Sequence, residues 1–443
     1  MRGRQKSAYI VWSGRTDGLG ERLCSLLNAI MLASALNWRF CFSWSDSTRP
    51  CSYRNVDKSV INNIAVASNF PAEMVFSRLF IRRHLQQERP LGSFISIKKN
   101  FSPEKLWEAT RSPDFAGFTS TQILLDDRIF FLGGSKTELA YQKAFAQVRL
   151  SKSFRKLVTY SRRVQLPENF VAVHLRSGDV IYGDSRKWGR WSHKVLVPSI
   201  ASRYVTGLSA LGRNVVVFGQ NSKFVREIAT LPNVYSASTF CPADVGSPAH
   251  AAFLEMMIMS RASSIISGNS GFSRFAAMVG GAPVVQPNKS LRPRAFLRII
   301  ESQLGEQGEQ SDSFTKAVSL FQAYLFNKGT LDHQRLIDIL TRASDFDPSN
   351  PLYKVILSAL YYGLGHIDRA DAIVSGYIQD SEVTSLQSSE FIQILLSTHP
   401  KMGPTCGEYF THFKNAGRDS LLARECSMLI DAKFPNFLRS EPG

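Results

Sequence analysis

The stretch Phe170-Val171-Ala172-Val173-His174-Leu175-Arg176-Ser177-Gly178-Asp179 decides the fold reading. Its first six residues show no polar–apolar alternation. A strand with one wet face alternates, and a strand covered on both faces does not. Such a strand belongs inside a parallel sheet with helices on either side. The charged residues that follow leave its carboxyl end, the edge at which open parallel sheets bind ligands. Arg176 emerges there, and its guanidinium fork suits a diphosphate and the charge on a leaving nucleotide. Asp179 can take part in chemistry or simply pair with Arg176.

Working outward, the same pattern repeats on both sides. Downstream, the spacing predicts a helix over about 194–210, a strand at Asn214–Phe218, a helix over 222–230 and another over 249–262. A strand at Ser264–Ser267, a glycine-containing loop, a helix from about Phe272 and a strand at Pro283–Gln286 complete the set. Strand–helix alternation of this kind means a parallel sheet. Upstream, Ala8–Trp12 is a strand and Ser13–Gly20 a glycine-rich turn. Leu23, Leu26, Leu27, Ile30, Met31 and Ala35 recur at helical spacing, and Trp38–Trp44 is β-prone. Between 50 and 165 the pattern is weaker: a strand at Ile129–Leu132 before Gly133-Gly134, then helix to about Arg163. The fold class expected is α/β, with one Rossmann-like domain over 1–165 and a second over 166–305.

Gly305 to Asp312 is polar and reads as a linker, placed at 306–313, with an all-helical domain over 314–443. The spacing from Ala343 through Asp347-Pro348, Asn350-Pro351 and Gly365 to Ala370 is similar to one tetratricopeptide hairpin. Asp345-x-Asp347 matches the D-x-D of metal-dependent glycosyltransferases. Its place in a proline-rich turn makes helix capping the better reading. The tail is expected to be an independent unit, so a chain ending near Ser311 should fold and keep any nucleotide binding.

Composition narrows the function classes. The chain has 443 residues, 44% hydrophobic and 20% charged, which excludes a mainly disordered or collagen-like protein. Net charge is +17. Residues 311–443 hold 12 Lys/Arg against 15 Asp/Glu, while 1–310 hold 41 against 21, so an anionic partner, if the chain has one, is expected at the first two thirds. No RNA- or DNA-binding module is recognisable, and nucleic acid is not expected. The 6 Cys form no C-x-x-C pair, so reduced, buried thiols are expected and no metal. Neither an uninterrupted apolar span nor a signal-peptide core is apparent, and a cytoplasmic chain, at most peripheral to the anionic face of the inner membrane, is expected.

Two further segments carry ligand chemistry. Gly14-Arg15-Thr16-Asp17-Gly18-Leu19-Gly20 joins a strand to a helix. Glycines let the backbone approach a ligand, and the helix start offers free N–H groups to phosphate. A plain turn has the same sequence. Ser267-Gly268-Asn269-Ser270-Gly271-Phe272-Ser273 precedes another helix, and its hydroxyls either cradle phosphate or only cap.

Taken together, these segments resemble the fucosyltransferase superfamily, which includes bacterial alpha-1,2-, rhizobial and animal alpha-1,6- and protein O-fucosyltransferases. His174–Asp179 looks like the H-x-R-R-x-D motif. Ile265–Ala277 looks like the "IIANSSFSWWAA" segment. Asp17-Gly18-Leu19-Gly20 looks like the amino-terminal glycine loop, and Val217-Phe218-Gly219-Gln220-Asn221 falls at a matching strand end.

The resemblance implies a GT-B-type pair of Rossmann-like domains and inverting transfer from a GDP-sugar, GDP-fucose first, to a glycan or glycolipid acceptor, without metal or other cofactor. By position, Arg176 would bind the β-phosphate. Ser273, with Ser270 and Gly271, would hold the diphosphate alongside Gly18 and Gly20. His174 would lie against guanine or ribose, and Glu255 would read guanine. The general base would be Asp184 or Asp179. Ser177 stands where the family has a second Arg, with Arg186 or Lys187 as substitutes. Trp188 and Trp191, interleaved with basic residues, suit an acceptor-stacking loop. The carboxy-terminal helices would serve self-association, a protein partner or an extended acceptor. The same fold with another nucleotide-sugar, or a nucleotide-binding scaffold without turnover, is the competing reading.

Overall fold

In a computed structural model of the chain, the described residues are 9–15, 17–45, 70–97, 108, 110–125, 137–189, 191–219, 222–306, 312–380, 386–399 and 403–435. The expected strand at Ile129–Leu132, the Gln220-Asn221 strand end and most of the linker lie outside them. The chain divides into two compact units. Among the described residues, the first falls within Met1–Pro50, Asp57–Gly178 and Tyr204–Pro287, and the second within Asp179–Arg203 and Asn288–Gly443. Both α/β halves therefore fall in one unit, and residues 179–203 group with the carboxy-terminal helices.

The first unit carries two parallel sheets. In the amino-terminal sheet, β1 (Ile10–Ser13) lies between β2 (Arg39–Phe42) and β4 (Phe115–Thr119), with β3 (Ser93–Ser96) at the edge. In the second, the order is β7 (Val234–Ser236), β6 (Val215–Gly219), β5 (Val171–Leu175), β8 (Ser264–Ser267) and β9 (Val284–Val285). All their pairings are parallel. The α/β class and the helical carboxy-terminal region are as expected. β5 is buried along its whole length, which is why its sequence does not alternate. In each sheet the chain leaves the central strand to one side and returns on the other. The loops after β1, β5 and β8 thus sit at topological switch points, where ligands bind in open parallel sheets.

Helix α1 (Leu19–Leu36) has the length and hydropathy of a membrane span, yet 78% of that window is buried. It also carries Glu21, Arg22 and Asn28. Its polar groups stitch it to the strand ends: Asn28 Nδ2 donates to the carbonyls of Thr121 (2.6 Å) and Ile123 (2.8 Å), and Tyr141 OH donates to Asn28 Oδ1 (2.7 Å). The helix stops at Asn37, which takes the left-handed conformation.

The second unit is helical apart from a short β10–β11 ladder (Thr398–His399 with Gly403–Pro404). The helices Ser313–Asn327 and His333–Phe346 pack as one pair, and Pro351–Gly363 with Ile367–Asp380 as the next. Asp312, Asp332 and Asn350 cap the starts of three of them through side-chain oxygens. The tetratricopeptide-like spacing runs from the end of His333–Phe346 to the start of Ile367–Asp380. Asp347 is the C-cap of His333–Phe346, its N–H donating to the Ala343 carbonyl, and Asn350 caps the start of the next helix. Asp347 is buried and accepts from Arg186 Nε (3.0 Å) and Asn350 Nδ2 (3.1 Å), whereas Asp345 is exposed. The pattern D-x-D points its two carboxylates to different surroundings.

Candidate functional site

Three loops read separately in the sequence converge in the first unit. β5 delivers His174, paired in register with Phe218 on one side and Ser267 on the other. The His174 imidazole is buried and stacks on Phe272, with ring centroids 4.8 Å apart and planes 9° apart. Burial, reinforced by the Arg176 charge, pushes it down to about 3, so the ring is neutral at physiological pH. Its Nδ1 is buried and has no hydrogen-bond partner among the described residues, and the same holds for Ser177 Oγ. Buried polar atoms are normally satisfied, so two orphans at one strand exit mark a place for a polar ligand. Arg176 is partly exposed between them.

The loop after β8 is organised by its hydroxyls. Ser267 Oγ donates to Ser273 Oγ (2.8 Å), which donates to the Ser270 carbonyl (3.1 Å). Ser270 Oγ caps α10 (Gly271–Gly280) by accepting from Phe272 N–H (3.3 Å). Ser270 and Ser273 are buried and serve the loop itself. Beyond these hydroxyls the loop has the half-buried Asn269 side chain and the backbone at the start of α10. This helix start meets the start of α1. A Cβ on Gly20 would lie 2.7 Å from the Gly271 carbonyl carbon, and a Cβ on Gly271 would lie 2.5 Å from Glu21 Cδ. Only glycine permits that approach. The contact is locked by Arg274 Nη2 on Glu21 Oε2 at 2.8 Å, with side chains 6% and 8% exposed. Gly18 is the N-cap of α1 and brings no side-chain cap to it. Cys24 on the same helix is inert, since burial pushes its thiol up.

Glu255 lies on α9 (Pro248–Met259), and burial pushes its carboxyl up to about 7. His250 on the same helix completes a capping box with Ser247.

The remaining candidates lie in the second unit. Asp179 sits in the short helix Gly178–Ile181, and its side chain is outside the described part. Asp184 opens a 3-10 turn, Asp184–Trp188. Arg186 is not a second diphosphate cation: it is buried against Asp347, with its guanidinium 4.8 Å from the Phe314 ring centroid. Lys187 is likewise engaged, with Nζ 2.8 Å from Glu390 Oε2. The Trp191 ring lies 4.5 Å from Lys194 Nζ, and Trp188 lines a cavity of about 280 Å³. Among the described residues no group of three or more His, Cys, Asp or Glu is placed to hold a metal.

Sequence reasoning missed Glu21, the stacking of Phe272 on His174 and the pairing of Asp347 with Arg186. Glu21 had one signal, a carboxylate in a first helical turn beside a glycine loop; its partner is 253 residues away and has none.

No protein-family model matches the chain, and no curated protein matches it. Among solved structures it is similar to the fucosyltransferase NodZ from Bradyrhizobium, at 15% identity over 63% of this chain and 96% of that one, with a TM-score of 0.38. It is similar to a variant of Arabidopsis thaliana FUT1 in complex with GDP, at 13% identity over 64% of this chain and 71% of that one, TM-score 0.36. A third is POFUT1 in complex with GDP, at 13% identity over 64% and 99%, TM-score 0.30.

Proposed function

We propose that this chain is an inverting, metal-independent glycosyltransferase that takes a GDP-sugar, with GDP-fucose as the first donor to test, and passes the sugar to a glycan acceptor. The observation that carries the reading is the convergence at the carboxyl edge of β5. There Arg176, two orphaned buried polar atoms and the neutral His174 ring, held by Phe272 at the start of α10, come together.

Each part has a role in that reaction. Arg176 takes the charge that grows on the β-phosphate as the bond from the sugar's anomeric carbon to the phosphate oxygen breaks. Backbone N–H groups at the starts of α1 and α10 add to it. Neutral His174 offers Nδ1 to ribose or base without adding positive charge, and Glu255, raised by burial to about 7 and so about half protonated at neutral pH, can donate as well as accept. A carboxylate of the 179–184 segment takes the proton from the acceptor hydroxyl as that oxygen bonds to the anomeric carbon. Arg176 and the two helix starts do the charge work a metal does elsewhere, so EDTA should leave turnover intact.

A second reading, a nucleotide-binding scaffold, draws on one observation. The Ser267, Ser270 and Ser273 hydroxyls bond within the loop and Arg274 Nη2 bonds Glu21, so these groups are already engaged. A thermal-shift panel of GDP, UDP, ADP and CMP, followed by GDP-fucose turnover, tests both. Selective stabilisation by GDP with turnover supports the transferase; stabilisation without turnover on any acceptor supports the scaffold. A response only to another nucleotide overturns the GDP-sugar reading, and no response to any of the four overturns both.

A further inference from the structure

The helix Lys152–Arg163 in the first unit has no acidic residue and turns its cations outward. Lys152, Arg155, Lys156, Arg162 and Arg163 recur at the spacing of a single helical face, and only Ser153 and Thr159 are exposed beside them on the helix. The other face is turned inward: Phe154 is buried against Phe253, with ring centroids 4.8 Å apart, and Leu157 and Val158 pack on the same core.

The start of this helix adjoins a second basic helix, Arg78–His84. Ser77 N–H donates to the Arg149 carbonyl (2.8 Å), and Ser151 N–H donates to the Val75 carbonyl (2.8 Å). Arg149, Arg78, Arg82 and Arg83 are exposed as well. Leu79, 61% exposed, shares a face with Arg82 and Arg83 at i, i+3 and i+4. Residues 71–85 and 148–164 together hold nine Lys/Arg against one acidic residue, Glu73. None of the nine makes an ion pair among the described residues.

Stability does not account for these charges. Lys152 and Arg155 lie in the first turn of their helix and Arg78 opens the other, where the positive end of the helix dipole disfavours cations. Lys152 also repels Arg155 and Lys156 at i, i+3 and i, i+4. The surface therefore suits an anion outside the protein. The core of a protein interface is depleted in charge and built on large apolar side chains, whereas the exposed face of Lys152–Arg163 is all charge and hydroxyl. Single-stranded nucleic acid is held by stacking on aromatic rings. Here Phe80 and Phe154 are buried, and Tyr160 is half-buried with its hydroxyl on the Phe240 carbonyl. An anionic bilayer asks only for several cations near its headgroups, and it accepts an aliphatic side chain such as Leu79 beside them.

We propose that the exposed face of Lys152–Arg163, continued by Arg149 and the helix Arg78–His84, docks the protein on an anionic lipid surface. The contact is electrostatic, because the apolar side of Lys152–Arg163 is taken by the core and cannot insert. It does not rest on the glycosyl-transfer reading above.

The test is co-sedimentation of the full-length protein, without nucleotide, with vesicles of phosphatidylcholine alone or with about one third phosphatidylglycerol, at low and at high salt. Binding should need the anionic lipid and should fall with salt. A cation near such a surface contributes about fivefold to affinity, so Arg155→Gln, Lys156→Gln and Arg162→Gln together should weaken binding about 100-fold. A chain of net charge +17 is drawn to anionic vesicles by any of its faces, so the decisive comparison removes three exposed cations elsewhere in the same unit. Arg213→Gln, Lys223→Gln and Arg226→Gln together should change affinity less than about threefold. All six positions are exposed, and the circular dichroism of both triple variants should match that of the parent. If either loses its fold, Lys156→Glu against Lys223→Glu makes the same comparison. No binding, equal binding to neutral vesicles, equal losses in the two sets of variants, or tighter binding to an oligonucleotide than to the vesicles would each overturn the proposal.

Discussion

Arg186 and Asp347 are 161 residues apart and form a buried ion pair, Nε to Oδ2 at 3.0 Å with side chains 6% and 1% exposed. Around it, Tyr182 OH donates to Asp312 Oδ2 (2.8 Å) and Lys187 reaches Glu390 (2.8 Å). The stretch that follows the candidate phosphate-binding motif is therefore built into the carboxy-terminal helices. This sets aside the picture of an independent tail read from the polar linker.

A chain ending at Ser311 should consequently fail to fold as an independent protein, because it strips Tyr182, Arg186 and Lys187 of their partners at once. Asp347→Ala in the full chain leaves Arg186 buried and unpaired and should cost about 3–5 kcal/mol in urea unfolding. Replacing both, Arg186→Met with Asp347→Leu, should recover much of that loss. A truncated chain that is monomeric and melts cooperatively would count against the argument, as would an Asp347→Ala variant of unchanged stability.

Glu21 and Arg274 form the corresponding clasp in the first unit. Each sits in the first turn of its helix, and together they hold the Gly20–Gly271 contact. In a double-mutant cycle of Glu21→Gln and Arg274→Met, the coupling energy should be about 1–3 kcal/mol. Both single variants should weaken GDP binding by loosening the two helix starts. Additive stability effects in the cycle would show that the pair does not organise the contact.

How much of this was legible in the sequence follows from where the information sits. β5, α1 and β8 were placed to within a residue or two, because buried strands and apolar helices write their burial into local pattern. β3, β4 and β7 were missed. Ser93-Phe94-Ile95-Ser96 is short, Phe115-Ala116-Gly117-Phe118-Thr119 carries a central glycine, and Val234–Ser236 has three residues. These strands exist because a neighbour already in the sheet offers them a ladder. The site divides in the same way. The glycines, serines and Arg176 are local motif, whereas the pairings Glu21–Arg274, His174–Phe272 and Arg186–Asp347 are tertiary and leave no local trace.

Stability should depend on pH in two separable ways. The folded His174 titrates at about 3 against an ordinary 6.5. Below 6.5 the unfolded chain binds a proton that the folded chain refuses, so its contribution is complete above 6.5 and is lost as pH falls toward 3. Glu255 is shifted the other way, to about 7 from 4.5. Between those values the folded chain keeps a proton that the unfolded chain has released. Its contribution is complete below 4.5 and is lost as pH rises through 7. Glu255→Gln should therefore gain about 1 kcal/mol over the parent at pH 8 relative to pH 5, a figure discounted for its partial exposure. His174→Phe should gain relative to the parent at pH 4.5 compared with pH 7.5. Thermal melts of the parent and both variants at these pH values measure each difference, and variants that track the parent at every pH would refute the assignments.

The chemistry is separable from donor binding because the groups fall in different segments. Arg176→Lys keeps the charge and loses the fork, and should cost about 2–4 kcal/mol of transition-state stabilisation, roughly 10²–10³ in rate. Asp184→Asn should lower kcat strongly and leave the Kd for GDP nearly unchanged, since a base acts on the acceptor hydroxyl and not on the nucleotide. Asp179→Asn, if that carboxylate orients Arg176, should weaken both kcat and GDP binding. Calorimetry with GDP beside steady-state kinetics for the three variants distinguishes them. An Asp184→Asn enzyme that turns over normally, beside an inactive Asp179→Asn enzyme with unchanged GDP affinity, moves the base to Asp179. Normal turnover in both places the base outside the 179–184 segment. A rate drop in Asp184→Asn that is restored at higher pH would also count against a carboxylate base at 184, because the amide has no proton-accepting form for alkali to supply.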